Sequence, residues 1–166
     1  MSSITYKTLH EPQIVIGIQI RTSNAKELSG EGQIGALWQR FFAESLLEQI
    51  PNRTSDSFYV VYSNYASDEY GEYDYLLGSP VSSINDLPPG MTFAAIATGD
   101  YAVVTTEKGP VAEMVVGTWK EIWSMPASEL GGKRAFITDY EVYDHRATDP
   151  ASAEVEIHLG IAPAVD

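Results

Sequence analysis

The chain repeats itself. Aligning Trp38 with Trp119, 81 positions apart, lays Ile34-Gly35-Ala36-Leu37-Trp38-Gln39-Arg40-Phe41-Phe42 on Val115-Val116-Gly117-Thr118-Trp119-Lys120-Glu121-Ile122-Trp123. The same offset puts Tyr59 on Tyr140 and Tyr62 on Tyr143, and one further residue brings Leu77-Gly78 onto Leu159-Gly160. Such a repeat is a supersecondary unit that buries its apolar face only by packing on its sister copy. The copies differ at one informative place: Val60-Val61 in the first is Glu141-Val142 in the second, so a carboxylate stands where the sister has an apolar residue.

The 166 residues suffice for one well-cored domain, or for two small modules sharing a core. With no cysteine, disulfides and thiolate metal sites are excluded. No stretch approaches the roughly 18 consecutive apolar residues of a membrane helix, and Met1-Ser2-Ser3-Ile4-Thr5-Tyr6 lacks the basic flank and apolar run of a secretory leader. A cytoplasmic location is expected. Twenty-three acidic against 10 basic residues give a formal net charge of −13. Such a surface repels phosphate backbones, which argues against direct nucleic-acid binding, and enriches cations around any cleft it lines; plain solubility is the competing use of the same charge.

Period and punctuation supply the elements. Ile14, Ile16, Ile18 and Ile20 alternate as in a half-buried strand, the first expected one, starting near Gln13. Asn24 to Gln33 reads as a loop. Ile34, Leu37, Trp38, Phe41, Phe42 and Leu46 then form a helical apolar stripe ending near Ile50-Pro51. Ser57–Ser63 and Tyr73–Gly78 read as a hairpin. In the second half, Thr92–Ala97 and Tyr101–Thr106 flank Gly99-Asp100 as a tight hairpin or bulged strand. A second striped helix opens at Pro110 and stops at Met125-Pro126, and strands at Phe136–Tyr143 and Val155–Gly160 follow. The expected fold is α+β: a single domain over 1–166, with module one at about 13–79, a linker at 80–90 and module two at about 91–163. Each module is strand-helix-strand-strand. The two pair about a pseudo-twofold axis, with antiparallel sheets, two main helices and a central cleft.

Glu141 is the foremost candidate residue. On a strand it shares a face with Tyr143, while Tyr140 and Val142 point the other way. If that face lines the cleft, the pocket holds an acid beside aromatic rings, a setting for a lipophilic cation; the alternative is a glutamate on the solvent face. Trp119 and Trp123 lie one turn apart on the second helix, mirrored by Trp38 and Phe42, and serve either as core or as cleft walls. The three histidines show no metal-ligand spacing, and no metal is expected. Gly30-Glu31-Gly32-Gln33-Ile34-Gly35 fits the letters of a dinucleotide fingerprint. It sits in a polar loop well after the first strand, where that motif does not work. No cofactor is expected.

The duplication, the Trp-bearing helices, Tyr101-Ala102-Val103 after Gly99, Asp139-Tyr140-Glu141-Val142-Tyr143 and Glu154-Val155-Glu156-Ile157-His158-Leu159-Gly160-Ile161 together resemble the GyrI-like effector-binding family. That domain is the drug-sensing part of AraC-type and MerR-type transcription activators, and also occurs alone and in integron cassettes. The resemblance runs from about Gln13 to Pro163. It implies a cleft that binds hydrophobic, often cationic, compounds around a central glutamate, which falls on Glu141. Its aromatic walls fall on Trp119, Trp123, Tyr75, Tyr101 and Tyr143, and Trp38 and Tyr59 of the first copy complete the candidate set. The expected role is a stand-alone sensor or sequestering protein, without a helix-turn-helix and without membrane attachment. Two other readings stay open. One is a hydrolase of strained, cyclopropane-bearing genotoxic compounds, with Glu141 as general base and Tyr143 or Tyr101 as proton donor. The other is an acidic protein-interaction module of the gyrase-inhibitor type. A transcription regulator or other protein partner, and monomer against homodimer, are equally open at this level.

Overall fold

The computed structural model describes residues 3–163; the ends of the expected 1–166 span, residues 1–2 and 164–166, lie outside the described residues. The chain runs β1 (Ser3–Leu9), β2 (Gln13–Ser23), α1 (Asn24–Leu28), α2 (Ile34–Ala43), α3 (Leu46–Gln49), β3 (Phe58–Ser63) and β4 (Glu72–Val81). The second half follows with β5 (Thr92–Ile96), β6 (Gly99–Thr105), α4 (Val111–Ser124), α5 (Ala127–Leu130), β7 (Arg134–Tyr143) and β8 (Glu156–Ile161). The eight strands form a sheet in the order β1-β6-β8-β7-β3-β4-β2-β5, with every pairing antiparallel. Matching β1–β4 with β5–β8 makes this order read the same from either edge. The architecture is α+β.

β5 and β6 do not pair with each other, contrary to the expected hairpin: β5 closes the edge beside β2, and β6 lies between β1 and β8. Only residues 97–98 join them, although six strand spacings separate them along the sheet. A flat sheet would place them about 29 Å apart, whereas three residue steps reach about 11 Å. The sheet must therefore curl until β5 lies over the middle strands. A hydrogen bond from the Ala97 amide to Thr138 Oγ1 on β7, at 3.0 Å, marks that closure. The three-residue connection 10–12, from β1 to β2, likewise spans six strand positions.

Curling divides the core in two. Inside the curl, Val15, Val61, Leu76, Ile96, Tyr101, Tyr140 and Val142 pack together. On the other face, α2, α3 and α4 set Leu37, Phe41, Leu46, Trp119 and Ile122 against Ile16, Ile18, Val60, Leu77, Val104, Ile157 and Leu159. The expected loop 24–33 contains α1, capped by Ser23, whose Oγ accepts the Lys26 amide. Glu27 in turn accepts the amides of Gln33 and Ile34 and so caps α2, a negative charge placed at a helix N-terminus. The first apolar stripe is interrupted at Ser45, which adopts a left-handed conformation at φ 51°. Leu46 resumes the stripe on α3 and is buried.

Candidate functional site

The middle pair of the sheet fixes the site. In the β3–β7 ladder Tyr59 faces Val142, Val60 faces Glu141 and Val61 faces Tyr140. Applying the 81-residue offset exchanges the outer two pairs and returns Val60–Glu141 to itself. Glu141 therefore stands directly across from its own counterpart in the repeat, where the two copies meet. Cross-strand partners point to the same face, which here is the one beneath the helices.

Tyr62 and Tyr143, counterparts in the repeat, reach the carboxylate from opposite sides. Tyr143 Oη donates to Oε1 at 2.6 Å, and Tyr62 Oη donates to Oε2 at 2.7 Å. Trp119 Nε1, from the buried side of α4, also donates to Oε2 at 2.7 Å. Glu141 is 1 % exposed, and no lysine, arginine or histidine among the described residues pairs with it. Burial raises its pKa, and the bonds from Tyr143, Trp119 and Tyr62 pull it part of the way back. Burial, and after it the same carboxylate, pushes the hydroxyls of Tyr62, Tyr75 and Tyr143 up, so they keep their protons and remain able to donate.

In front of this carboxylate lies a cavity of about 530 Å³, within the range of small-molecule sites. The sheet supplies its floor through Phe58, Tyr62, Tyr73, Tyr75, Glu141 and Tyr143; α2 supplies Trp38 and Phe42, and α4 supplies Val111, Val115, Trp119 and Trp123. Trp38 packs edge-on against Tyr143, with centroids 4.9 Å apart, and its Nε1 donates to Tyr75 Oη at 2.8 Å. The rings thus hold one another in place, and the polar atoms of Trp38, Tyr75 and Tyr143 are hydrogen-bonded, whereas Trp123 Nε1 is buried without a partner among the described residues. Asn24 bridges one rim, accepting from Tyr73 Oη and donating to the Glu69 carbonyl. Leu28, Phe42 and Val116, all lining residues, are also well exposed and form an apolar lip.

Of the candidates named from sequence, Glu141, Trp119, Trp123, Tyr143, Tyr75 and Trp38 converge on this cavity. Tyr59 and Tyr101 do not. Tyr59 stacks on Tyr140 at 5.9 Å inside the curl. Tyr101 packs there too, donating to the Ala97 carbonyl at 2.6 Å, with its hydroxyl also 2.9 Å from Thr138 Oγ1. Strand parity is the reason: Tyr59 is the repeat counterpart of Tyr140, which points away from Glu141. Tyr101 is thereby removed as a proton donor at Glu141. Tyr62 was missed, although as the counterpart of Tyr143 it carried a readable sign. Tyr65 and Arg134 were missed as well, the first in a loop and the second in an irregular stretch of β7 that no periodicity announces.

A family described as integron-associated effector binding protein matches residues 9–161. The chain is 34% identical over 146 residues to YobU of Bacillus subtilis (strain 168), named as a transcriptional regulator, covering 87% of this chain and 89% of YobU. It is 29% identical over 128 residues to the transcriptional regulator BrlR of Pseudomonas aeruginosa, covering 77% of this chain and 45% of BrlR. Among solved structures, an integron cassette protein from the mobile metagenome of Vibrio cholerae superposes with a TM-score of 0.73 at 28% identity, over 96% of this chain and 95% of that one. SAV2435, solved bound to tetraphenylphosphonium, shares the fold with a TM-score of 0.77 at 16% identity, over 96% and 94% of the two chains. On the family match and the near full-length identity to YobU, the chain belongs to the integron-associated effector-binding proteins, of GyrI-like fold.

Proposed function

We propose that this protein binds lipophilic organic cations in the cavity, with Glu141 as the charge partner, and serves as a sensing or sequestering module. The observation that carries the reading is a fully buried carboxylate that accepts three hydrogen bonds and has no cationic partner among the described residues. Burying an uncompensated carboxylate costs several kcal/mol in real proteins. A cation in the cavity offsets that cost, and ring faces add cation–π attraction of about 0.5–2 kcal/mol for each good contact. Three donors hold the carboxylate in one orientation and use three of its roughly four acceptor sites. The tetraphenylphosphonium bound to SAV2435, a protein of the same fold, supports this ligand class.

Isothermal titration with tetraphenylphosphonium, and tryptophan quenching by rhodamine 6G, test the reading. Saturable binding is expected, with quenching through Trp38, Trp119 and Trp123. Absence of heat and of quenching at high micromolar ligand overturns it.

A further inference from the structure

Two buried carboxylates, not one, stand at the cavity: Glu141 on its floor and Asp139 behind its wall. Asp139 lies two residues before Glu141 on the same face of β7 and is 0 % exposed. Unlike Glu141, it is matched by a cation of the chain itself: Arg134 Nη2 lies 2.6 Å from Asp139 Oδ2, to which Tyr65 Oη also donates, while Oδ1 accepts the Gly160 amide at 2.8 Å. The contact depends on a local irregularity. From Arg134 to Asp139 β7 takes five steps where β8 takes two, from Ile161 to Leu159, and Phe136 within the bulge adopts φ 52°. The guanidinium thereby lies 4.3 Å from the Phe136 ring centroid and 5.6 Å from that of Trp119. Arg134 and Tyr65 line the cavity, with Asp139 behind them.

Arg134 thus sits as a bound organic cation would, against a buried carboxylate and over aromatic faces. Trp119 touches both arrangements, offering its ring to Arg134 and its N–H to Glu141. We infer that Arg134 is a specificity-determining residue: it fills one of two adjacent anionic positions and restricts the cavity to ligands with a single positive centre. The inference rests on the cation-binding reading and adds a charge count to it. With Arg134 in place, Asp139 is neutralised and Glu141 carries the net charge that a ligand meets on the cavity floor. Without Arg134, a second cationic centre has a carboxylate to meet; without Asp139, an uncompensated guanidinium faces any incoming cation.

Ethidium and propidium test this, because they share one aromatic ring system and propidium carries an additional quaternary ammonium. Fluorescence titration of the wild-type protein is expected to show tighter binding of ethidium. In Arg134→Gln the ratio of affinities moves toward propidium by about tenfold or more, the effect of one opposite charge met at close range. Asp139→Asn weakens both dyes by about tenfold or more, and the double variant returns the ratio to that of wild type. Thermal melts check that each variant is folded. If Arg134→Gln folds and changes both affinities by the same factor, the inference is overturned while the cation-binding reading stands. Should Arg134→Gln fail to fold, Asp139→Asn decides alone, and wild-type ethidium affinity there overturns the inference. Wild-type protein that binds neither dye overturns both.

Discussion

At the residue scale, the unusual feature of Glu141 is that its fold stabilises the charge only partly. Burial raises the carboxyl's pKa, so the folded chain holds that proton more tightly than the unfolded chain does. The ligand-free fold is therefore destabilised by this group as pH rises from the ordinary glutamate range through the raised value. The proposed cation binding is expected to have the opposite dependence: weak below the raised pKa, where the group is neutral, and full above it. Glu141→Gln keeps a side chain that can bond to Tyr62, Trp119 and Tyr143 but removes the charge. Its affinity for tetraphenylphosphonium is expected to fall by about 1–3 kcal/mol and to lose the pH dependence, while its ligand-free melting temperature at neutral pH is no lower than that of wild type. Titrations across the acid range, set beside thermal melts, check both halves. Tyr143→Phe deletes a donor that favours the ionised form, so the midpoint of the pH–affinity curve moves to higher pH; an unmoved midpoint would show that this bond does not control the charge. Glu141 was legible because the repeat supplies its own control, a valine at the matching position. Tyr59 was misplaced by residue type. The offset that pairs it with Tyr140 already assigns it to the back of the strand.

At the scale of elements, two glycines govern how β2 and β4 pass each other. Gly17 and Gly78 face each other in the ladder, and a Cβ on either would lie 2.0 Å from the Leu77 carbonyl oxygen or 1.8 Å from that of Ile16. Neither backbone can yield without opening the pair. Gly78→Ala is expected to cost about 1–3 kcal/mol, in the range of overpacked cores, seen as a lower urea midpoint with an unchanged slope. Gly35→Ala, on α2 with open space around the added methyl, serves as the control and is expected not to destabilise. The helices and the long strands were readable because periodicity reports which side of an element is buried. β1 was not, since five of its seven residues are exposed on the sheet edge and leave little alternation to read. Nor was the partner of β5, because pairing between strands distant in sequence is settled by the curl of the sheet, which no local pattern encodes. The break at Ser45 escaped for a similar reason: Leu46 keeps its place in the apolar stripe across it.

At the scale of the whole molecule, the two halves exchange their edge strands. β1, from the first copy, finishes the half built by β6, β8 and β7, and β5, from the second, finishes the half built by β3, β4 and β2. The site is shared in the same way. Tyr62 and Trp38 come from one copy and Glu141, Tyr143 and Trp119 from the other, so neither half holds a cavity or a complete hydrogen-bond set for the carboxylate. We propose that duplication created one core with the site on its seam; the expected linker 80–90 starts later in the structure, because Pro80 and Val81 belong to β4, and the segment 82–91 joins the two halves. Residues 1–90 and 91–166 produced separately should each lack a cooperative melt, because each loses the ladder between β3 and β7 together with the pairing of its exposed strand. Mixed in equal amounts, they should recover β-sheet circular dichroism, a single thermal transition and tetraphenylphosphonium binding, at the entropic cost of bringing two chains together. Recovery of the transition without binding would mean that the halves assemble but the seam does not close around Glu141. An independently cooperative 1–90 fragment would show that the edge exchange is decoration on two autonomous modules, and the account of Glu141 as a product of their union would have to be abandoned.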